Sequence, residues 1–392
     1  LCNIAPKIHH ISTNSYRRLI ELYNKLSVDC DDLNGDHPSN AVKELMNETK
    51  YMKEQLNSVY FNELKEIFQK KVVDYNKLKI DYCFKIPGSQ GVGLDASAYM
   101  NGWNILAVGY KEDGKGSLAL WDLKRHKIVA TLKDIHTKVI IHVVWVPSKS
   151  LLVTCAHDTL IKAFRVRLVE GNVKLEHRGT LRGHTDWIRC LSFIEDEQLL
   201  VSAGTAPNLK LWDLDKMKRL SIINTSNDGE LDGSLAYIPN KKLIGAGFKT
   251  GYIRFYHITK RNLVTVIPTG YTNYYCSGLQ YLPKRKLIVA HVYYKTTKIW
   301  SFDENKNVAK EKDVIISESN VTGCIIPNED ESQLLLTSVS SYVEAYDINR
   351  KKIKNISLSP HISKTKSPVY LSGLGKISIC DLTSENICLL KN

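Results

Sequence analysis

Residues 183–193 read GHTDWIRCLSF, residues 199–204 read LLVSAG and residues 209–214 read LKLWDL. Each stretch holds an apolar run of strand length. The segments between them, IEDEQ and TAPN, are polar and contain turn-forming residues. Short apolar runs separated by such segments are typical of consecutive antiparallel strands. We therefore expect three neighbouring strands of one sheet here.

The aromatic residue that closes this stretch, Trp212, marks a repeat along the chain. A period near 40–45 residues with four strands per unit is the pattern of a β-propeller. Seven anchors predict a mainly β fold with seven blades over residues 81–392, and residues 80–86 are the candidate strand that completes the last blade. The anchors are Trp121, Phe164, Trp212, Tyr256, Trp300, Tyr346 and Cys380, at intervals of 43, 48, 44, 44, 46 and 34 residues.

The opening Gly183-His184 and the closing Trp212-Asp213 resemble the repeat of the WD-repeat family. In that family a His, a Ser or Thr, an Asp and a Trp form a buried hydrogen-bond network within a blade. The resemblance assigns His184, Ser202 and Trp212 to this network. Ala206 stands at the Asp position, so we expect the network to be incomplete.

The preceding unit departs from the family pattern at a different position. His136, Thr154 and Asp158 match the network, but Phe164 replaces the Trp. The resemblance identifies the fold much better than the function, because propellers carry many functions.

Residues 1–80 have a helical period instead. Apolar residues recur every three or four positions in residues 16–26 and 41–78, with a break at 29–40. The longer stretch predicts either a coiled coil with another chain, which would allow a homodimer, or an amphipathic helix packed on its own chain. We therefore predict an α-helical region at 1–80 before the propeller.

Bulk composition places the chain in a reducing compartment. Nine cysteines are scattered without a C-x-x-C pair, which favours free thiols and a cytoplasmic location. No apolar run is long enough to span a membrane, and no signal peptide opens the sequence. The chain starts at Leu1, so a further N-terminal segment is expected.

Motifs for catalysis are weak, and we expect neither an enzyme nor a bound cofactor. Residues 109–117 resemble a phosphate-binding loop, but Gly116 follows Lys115 and a strand comes next, which favours a hairpin. Cys2, His9 and His10 would supply only part of a zinc site, because such a site takes four ligands. The six tryptophans are interpreted as blade core residues, with at most one exposed to a partner.

The charge pattern suggests a partner surface. Lys and Arg number 54 against 41 Asp and Glu, and nearly all of the excess follows Lys85. Turns between first and second strands and between third and fourth strands open on one face of a propeller. Ten basic residues of the third to fifth units fall in these turns. This basic sector predicts binding of an acidic protein segment, a phosphoinositide or a nucleic-acid backbone; the alternative is an ordinary solvated set of turns. It contains Lys216, Lys218, Arg219, Lys241, Lys242, Lys260, Arg261, Lys284, Arg285 and Lys286.

We therefore predict a non-catalytic adaptor that binds other proteins on the propeller and uses the N-terminal helix for oligomerisation or docking. One alternative is the substrate-recognition part of a ubiquitin-ligase protein with a B-box or RING zinc module upstream. Another is a signalling subunit similar to a G-protein β subunit, which also places a helix before seven blades.

Overall fold

The computed structural model describes residues 73–90, 92–170, 172–274, 276–359, 361–362, 365–371, 374–381 and 386–391. These residues belong to one compact unit that begins at Val72. Most of the predicted helical region, with Cys2, His9, His10 and Cys30, lies outside the described residues. The coiled coil and the homodimer therefore stay predictions.

The end of the predicted helix is wrong where it can be compared. Residues Tyr75–Lys77 form one 3-10 turn, and a strand begins at Lys79. The Asp74 side chain accepts a hydrogen bond from the backbone N–H of Asn76 and caps this turn. The backbone N–H of Tyr75 donates to Gln333 Oε1 at 2.6 Å. Contacts with a distant strand thus take the bonds that a continuing helix would need.

Seven four-stranded antiparallel blades make up the described unit: five are separate sheets, and the first two share one eight-stranded sheet through a single parallel pairing. The strands of a blade follow chain order and are called a, b, c and d. Blade 1 contains β2 (Val92–Met100), β3 (Ile105–Glu112), β4 (Lys115–Asp122) and β5 (Lys127–His136); blade 2 contains β6 (Ile140–Val146), β7 (Leu151–Ala156), β8 (Ile161–Val169) and β9 (Asn172–Leu181); blade 3 contains β10 (Ile188–Ile194), β11 (Leu199–Gly204), β12 (Leu209–Asp213) and β13 (Lys218–Ile223).

The remaining blades repeat this order, and the last one borrows its d strand from the start of the described chain. Blade 4 contains β14 (Leu231–Ile238), β15 (Leu243–Phe248), β16 (Tyr252–His257) and β17 (Leu263–Pro268); blade 5 contains β18 (Ser277–Leu282), β19 (Leu287–Tyr293), β20 (Thr296–Asp303) and β21 (Val308–Ile316); blade 6 contains β22 (Val321–Pro327), β23 (Gln333–Ser338), β24 (Tyr342–Asp347) and β25 (Lys352–Ser357); blade 7 contains β26 (Thr365–Leu371), β27 (Lys376–Asp381), β28 (Asn386–Lys391) and β1 (Lys79–Lys85).

The a strands of successive blades contact one another from β2 to β26 and back to β2, so the ring is closed. One 3-10 turn precedes β1, and the others lie in connections, at Pro147–Lys149, Ser226–Asp228 and Pro239–Lys241. Because the sheets are antiparallel, the a–b and c–d connections share one face, called here the AB/CD face. The b–c connections and the links between blades share the other, called the BC/DA face.

The hydrophobic core lies between adjacent blades. Trp212 of blade 3 packs with blade 2 residues such as Val153, and Trp300 of blade 5 packs with Phe255 of blade 4. Both tryptophans are buried. Burying an aromatic side chain contributes about 1.5–3 kcal/mol, so these anchors hold neighbouring blades together.

The seventh predicted anchor is on the wrong strand. Cys380 belongs to β27, the b strand of blade 7, whereas each of the other anchors lies on a c strand. In blade 6 the anchor Tyr346 faces Leu334, the second residue of strand b. The equivalent partner in blade 7 is Ile377, which faces Leu390. Leu390 follows Tyr346 by 44 residues and restores the period that the interval of 34 broke.

Strand β1 closes the ring, as the sequence predicts. It pairs antiparallel with β28, and Asp81 forms ion pairs with Lys376 at 2.6 Å and with Lys391. The Phe84 ring stacks on Trp121 of blade 1, with 3.9 Å between ring centroids. The strand therefore completes blade 7 and also packs against the next blade.

One cysteine pair contradicts the prediction of free thiols. Cys83 of β1 and Cys388 of β28 face each other in register and form a disulfide, with a Cα–Cα distance of 4.1 Å and 305 residues between them. The scattered spacing hid this pair because the two residues meet only when the ring closes. Cys155, Cys190, Cys276 and Cys380 are buried thiols.

We predict that reduction of this disulfide destabilises the propeller. Loss of a native disulfide typically costs 2–5 kcal/mol, and the loop closed here is long. Urea unfolding should shift to a lower midpoint in dithiothreitol. The Cys83→Ser, Cys388→Ser double variant should start at that lower midpoint and not respond to dithiothreitol. A wild-type midpoint that does not change on reduction would contradict the prediction.

Candidate functional site

The predicted network of blade 2 is assembled inside the fold. His136 Nδ1 lies 2.9 Å from Asp158 Oδ2, and His136 Nε2 lies 2.9 Å from Thr154 Oγ1. Burial alone would raise the pKa of Asp158, but bonds from His136 and from the backbone of Leu160 and Thr137 lower it below its ordinary value. The three side chains form a structural clasp between the end of β5, strand β7 and the β7–β8 connection.

The network of blade 3 has three of its four members. His184 Nε2 lies 2.6 Å from Ser202 Oγ, and Trp212 Nε1 donates to the same oxygen at 2.8 Å. His184 Nδ1 is buried without a hydrogen-bond partner among the described residues. Ala206 occupies the position four residues after Ser202, just as Asp158 follows Thr154 by four. The missing carboxylate therefore explains the unsatisfied nitrogen.

In blades 4 and 6 a tyrosine at the anchor position bonds to a carboxylate. The sequence analysis did not predict these two pairs. Tyr256 replaces the Trp and donates its hydroxyl to Asp228 in the preceding connection. Tyr346 donates to Asp313 of β21 at 2.6 Å. Burial and the adjacent carboxylates raise the pKa of both phenols. A tyrosine at the anchor position is the signal for this variant, but the partner of Tyr346 lies in the preceding blade.

The predicted basic sector lies in turns of blades 3 to 5 on the AB/CD face. Lys242 forms an ion pair with Glu197 at 2.7 Å, and Lys286 forms one with Glu304 at 3.5 Å. Lys216 lies 3.6 Å from Asp213. Acidic residues from the same face thus neutralise part of the sector.

Two further members of the sector serve the contact between blades 5 and 6. Lys284 Nζ donates to the Glu329 carbonyl oxygen, and Arg285 donates to Asn349 Oδ1, each at 2.8 Å. Burial lowers the pKa of His184, and the positive charges of Lys210 and Arg219 lower it further. In the described part of the chain, Lys218, Lys241, Lys260 and Arg261 form no ion pair. The sector stays a prediction, and these four residues are its available charges.

Exposed aromatic side chains gather on the opposite face. Among the described residues three large aromatic side chains are exposed: Trp187 at 46%, Tyr252 at 38% and Tyr294 at 49%. Trp187 precedes β10, Tyr252 opens β16, and Tyr294 lies between β19 and β20. All three positions belong to the BC/DA face. Exposed aromatic residues are typical anchors of protein interfaces.

A cluster of tyrosines lies on this face in blades 4 and 5. Tyr271 stacks on Tyr293 with 4.7 Å between ring centroids, and Tyr274 contacts Tyr293 at 4.3 Å and Tyr294 at 4.6 Å. Gly251 makes room for this arrangement. Its φ is +86°, and a Cβ there would lie 2.1 Å from the Tyr271 carbonyl oxygen.

The comparisons with known proteins agree with this geometry. Residues 175–213 match the family described as WD domain, G-beta repeat. This segment contains His184, Ser202 and Trp212, so the match falls on the unit with both the Gly-His opening and the Trp-Asp close. The remaining blades are assigned from their strands alone.

Two curated relatives share part of the chain. WD repeat and SOCS box-containing protein 1 of Xenopus tropicalis is 32% identical over 113 residues, and the protein of that name from Danio rerio is 31% identical over 113 residues. Each match covers 29% of this chain and 25% of the relative. The matched segment therefore spans about a quarter of those proteins.

The described residues contain no group of three or more His, Cys, Asp or Glu side chains placed to hold a metal ion. A search of the same residues finds no helix long and apolar enough to cross a membrane. Residues 109–117 form the β3–β4 hairpin that the sequence favoured over a phosphate-binding loop.

We predict that Ala206→Asp stabilises blade 3. The new carboxylate can accept a hydrogen bond from His184 Nδ1, as Asp158 does from His136, and a bond to a charged group contributes about 1.5–3 kcal/mol. Thermal unfolding at neutral pH should shift upward. Asp158→Ala is the matched control and should shift the transition downward. No change in either variant would mean that these clasps do not contribute to stability.

Buried neutral histidines predict acid sensitivity. Burial lowers the pKa of His184 to about 3 and that of His291 to about 4. Below the unfolded value of about 6.5 the unfolded chain binds protons that the fold does not. The free energy of unfolding should fall by up to about 1.4 kcal/mol per pH unit for each histidine down to about pH 4. Above about pH 6.5 this contribution should be constant.

Urea unfolding at several pH values checks this expectation. His184→Gln removes one titrating group, so its stability should depend less steeply on pH between about 4 and 6.5. An unchanged slope would show that His184 is protonated in the fold over that range.

Proposed function

We propose that the chain is a non-catalytic adaptor that binds partner proteins through its propeller. The observation that carries this proposal is the gathering of Trp187, Tyr252 and Tyr294 on the BC/DA face of a closed ring. A rigid surface loses little conformational entropy on binding, and exposed aromatic residues supply contact area. In this proposal residues 1–80 associate with a second partner or with another copy of the chain.

The shifted ionisable groups fit this role. His184 is explained by burial in a blade clasp, and the raised pKa values of Tyr256 and Tyr346 follow from burial and from the carboxylates that they bond. Groups tuned for catalysis usually converge in a cleft. These three lie in separate blades, and each is accounted for by its own structural network.

A more specific proposal is the substrate-recognition part of a ubiquitin-ligase protein. Its support is the pair of relatives whose name joins WD repeats to a SOCS box, which hints at a substrate receptor. In such a receptor the propeller would bind the substrate and another segment would bind the ligase. The B-box or RING version of this idea requires a zinc module upstream of Leu1, of which Cys2, His9 and His10 would be the tail; these three residues lie outside the described residues.

The cellular compartment is part of the same proposal. Four buried thiols suit a reducing cytoplasm, whereas the Cys83–Cys388 disulfide favours oxidation. We propose a cytoplasmic location on the basis of the four buried thiols.

Affinity purification tests the adaptor proposal with three forms of the chain: the full chain, a chain beginning at Val72, and the full chain with Trp187, Tyr252 and Tyr294 changed to Ala. We expect the aromatic triple variant to lose one group of partners and the shortened chain to lose another. A ubiquitin-ligase role predicts ligase subunits among the partners, and longer half-lives for substrates when the chain is depleted.

The basic sector provides a matched comparison. Lys260→Glu with Arg261→Glu reverses two charges that form no ion pair in the described structure. If this double variant loses the partners and the aromatic triple variant keeps them, the AB/CD face is the binding surface. Full recovery with every variant would contradict an adaptor that works through the propeller.

A further inference from the structure

The connection before β10 holds an exposed tryptophan in a fixed position. The backbone N–H of Trp187 donates to Asp186 Oδ1 at 2.7 Å, and the Trp187 carbonyl oxygen accepts a hydrogen bond from the backbone N–H of Thr205 at 3.0 Å. Gly204 permits this approach, because a Cβ there would lie 2.2 Å from the Trp187 carbonyl oxygen. The connection is also anchored by buried His184. A side chain presented on such a connection binds a partner at little entropic cost.

Two neighbouring side chains support the tryptophan ring. The His157 ring stacks on it, with 4.4 Å between centroids and an angle of 18°. The Arg189 guanidinium lies 5.3 Å from the Trp187 centroid. Trp187 is nevertheless 46% exposed. A large aromatic side chain left this accessible between polar neighbours has the composition of an interface anchor.

Positively charged residues lie on or beside this connection and on the neighbouring link between blades 1 and 2. Arg189 is half-buried, and Arg182 and Lys138 are exposed. Lys138 lies next to Val139, whose carbonyl oxygen accepts a hydrogen bond from His157 N–H. In the described part of the chain none of these three cations forms an ion pair. The nearby Asp158 carboxylate is bonded to His136 and to backbone N–H groups. Only Asp186 places an additional carboxylate in the same connection.

We propose that Trp187, His157, Arg189, Arg182 and Lys138, called here the Trp187 platform, bind an acidic peptide segment of a partner protein. This inference rests on the adaptor function proposed above and adds the site and the partner chemistry. An apolar side chain of the segment packs on Trp187, and its carboxylates or phosphates pair with the cations. The His157 ring already covers one face of the indole, which favours an aliphatic peptide side chain over a stacked nucleobase.

Direct binding tests the platform with the full chain. The probe is a short fluorescein-labelled peptide rich in Asp and Glu with one central Leu, followed by fluorescence anisotropy. We expect saturable binding that weakens with added salt, because exposed charges are screened. The same peptide with Lys in place of Asp and Glu should not bind.

Variants locate the site. Trp187→Ala and Arg189→Ala should each weaken binding about tenfold, which is the scale of an interface hot spot. Asp186→Asn keeps the Oδ1 acceptor for Trp187 N–H and removes the opposing charge, so it should strengthen binding. Ile316→Ala removes an exposed apolar side chain at the end of β21, on the same face two blades away, and should leave binding unchanged. Thermal unfolding of each variant verifies that the propeller remains folded.

Several outcomes would overturn the proposal. They are absence of peptide binding by the wild-type chain, equal loss in Ile316→Ala and Trp187→Ala, or tighter binding of a single-stranded oligonucleotide at the same residues. Failure of this kind is separable from failure of the adaptor proposal. Partners captured in affinity purification that survive Trp187→Ala would leave the adaptor in place and remove only this site.

Discussion

Ring closure is the constraint on which the rest of the structure depends. Each blade buries its apolar side chains against the next, so a missing strand would expose one core and leave an unpaired edge. Residues 73–86 prevent this by joining three blades. Tyr75 bonds to Gln333 of blade 6, β1 pairs with β28 of blade 7, and Phe84 stacks on Trp121 of blade 1.

Much of the fold could be predicted from the sequence because each blade of a propeller repeats the same strand pattern. The c-strand anchors from Trp121 to Tyr346 share one period, and the closing strand was visible as an apolar run near residue 80. The prediction of the seventh anchor is wrong because strand c of blade 7 has no aromatic residue, and the pattern of an apolar residue before Asp points to Cys380 of strand b. The pairing of Leu390 with Ile377 fixes the correct position, and pairing is a property of the folded sheet.

The polar networks also differ in how far the sequence predicts them. His136, Thr154 and Asp158 come from one unit with fixed spacing, so a family resemblance locates them. Tyr346 and Asp313 come from adjacent blades, and no spacing within a unit connects them. The surface follows the same rule. Residue identities give a basic sector, but the neutralising contacts, such as Lys242 with Glu197, cross from one blade to another. Likewise, Trp187 is exposed whereas Trp212 is buried, and residue identity alone does not separate the two.

The position of the closing strand β1 also affects how the chain folds during synthesis. Cys83 and Cys388 are 305 residues apart, and β1 has no sheet to join until β28 has left the ribosome. At synthesis rates of about 5–20 residues per second, this delay is roughly 15–60 s. During that time six blades can form while an apolar strand waits with both edges unpaired. The nascent protein therefore has a period of exposure in which chaperones, or an early binding partner, would act on its N-terminal end.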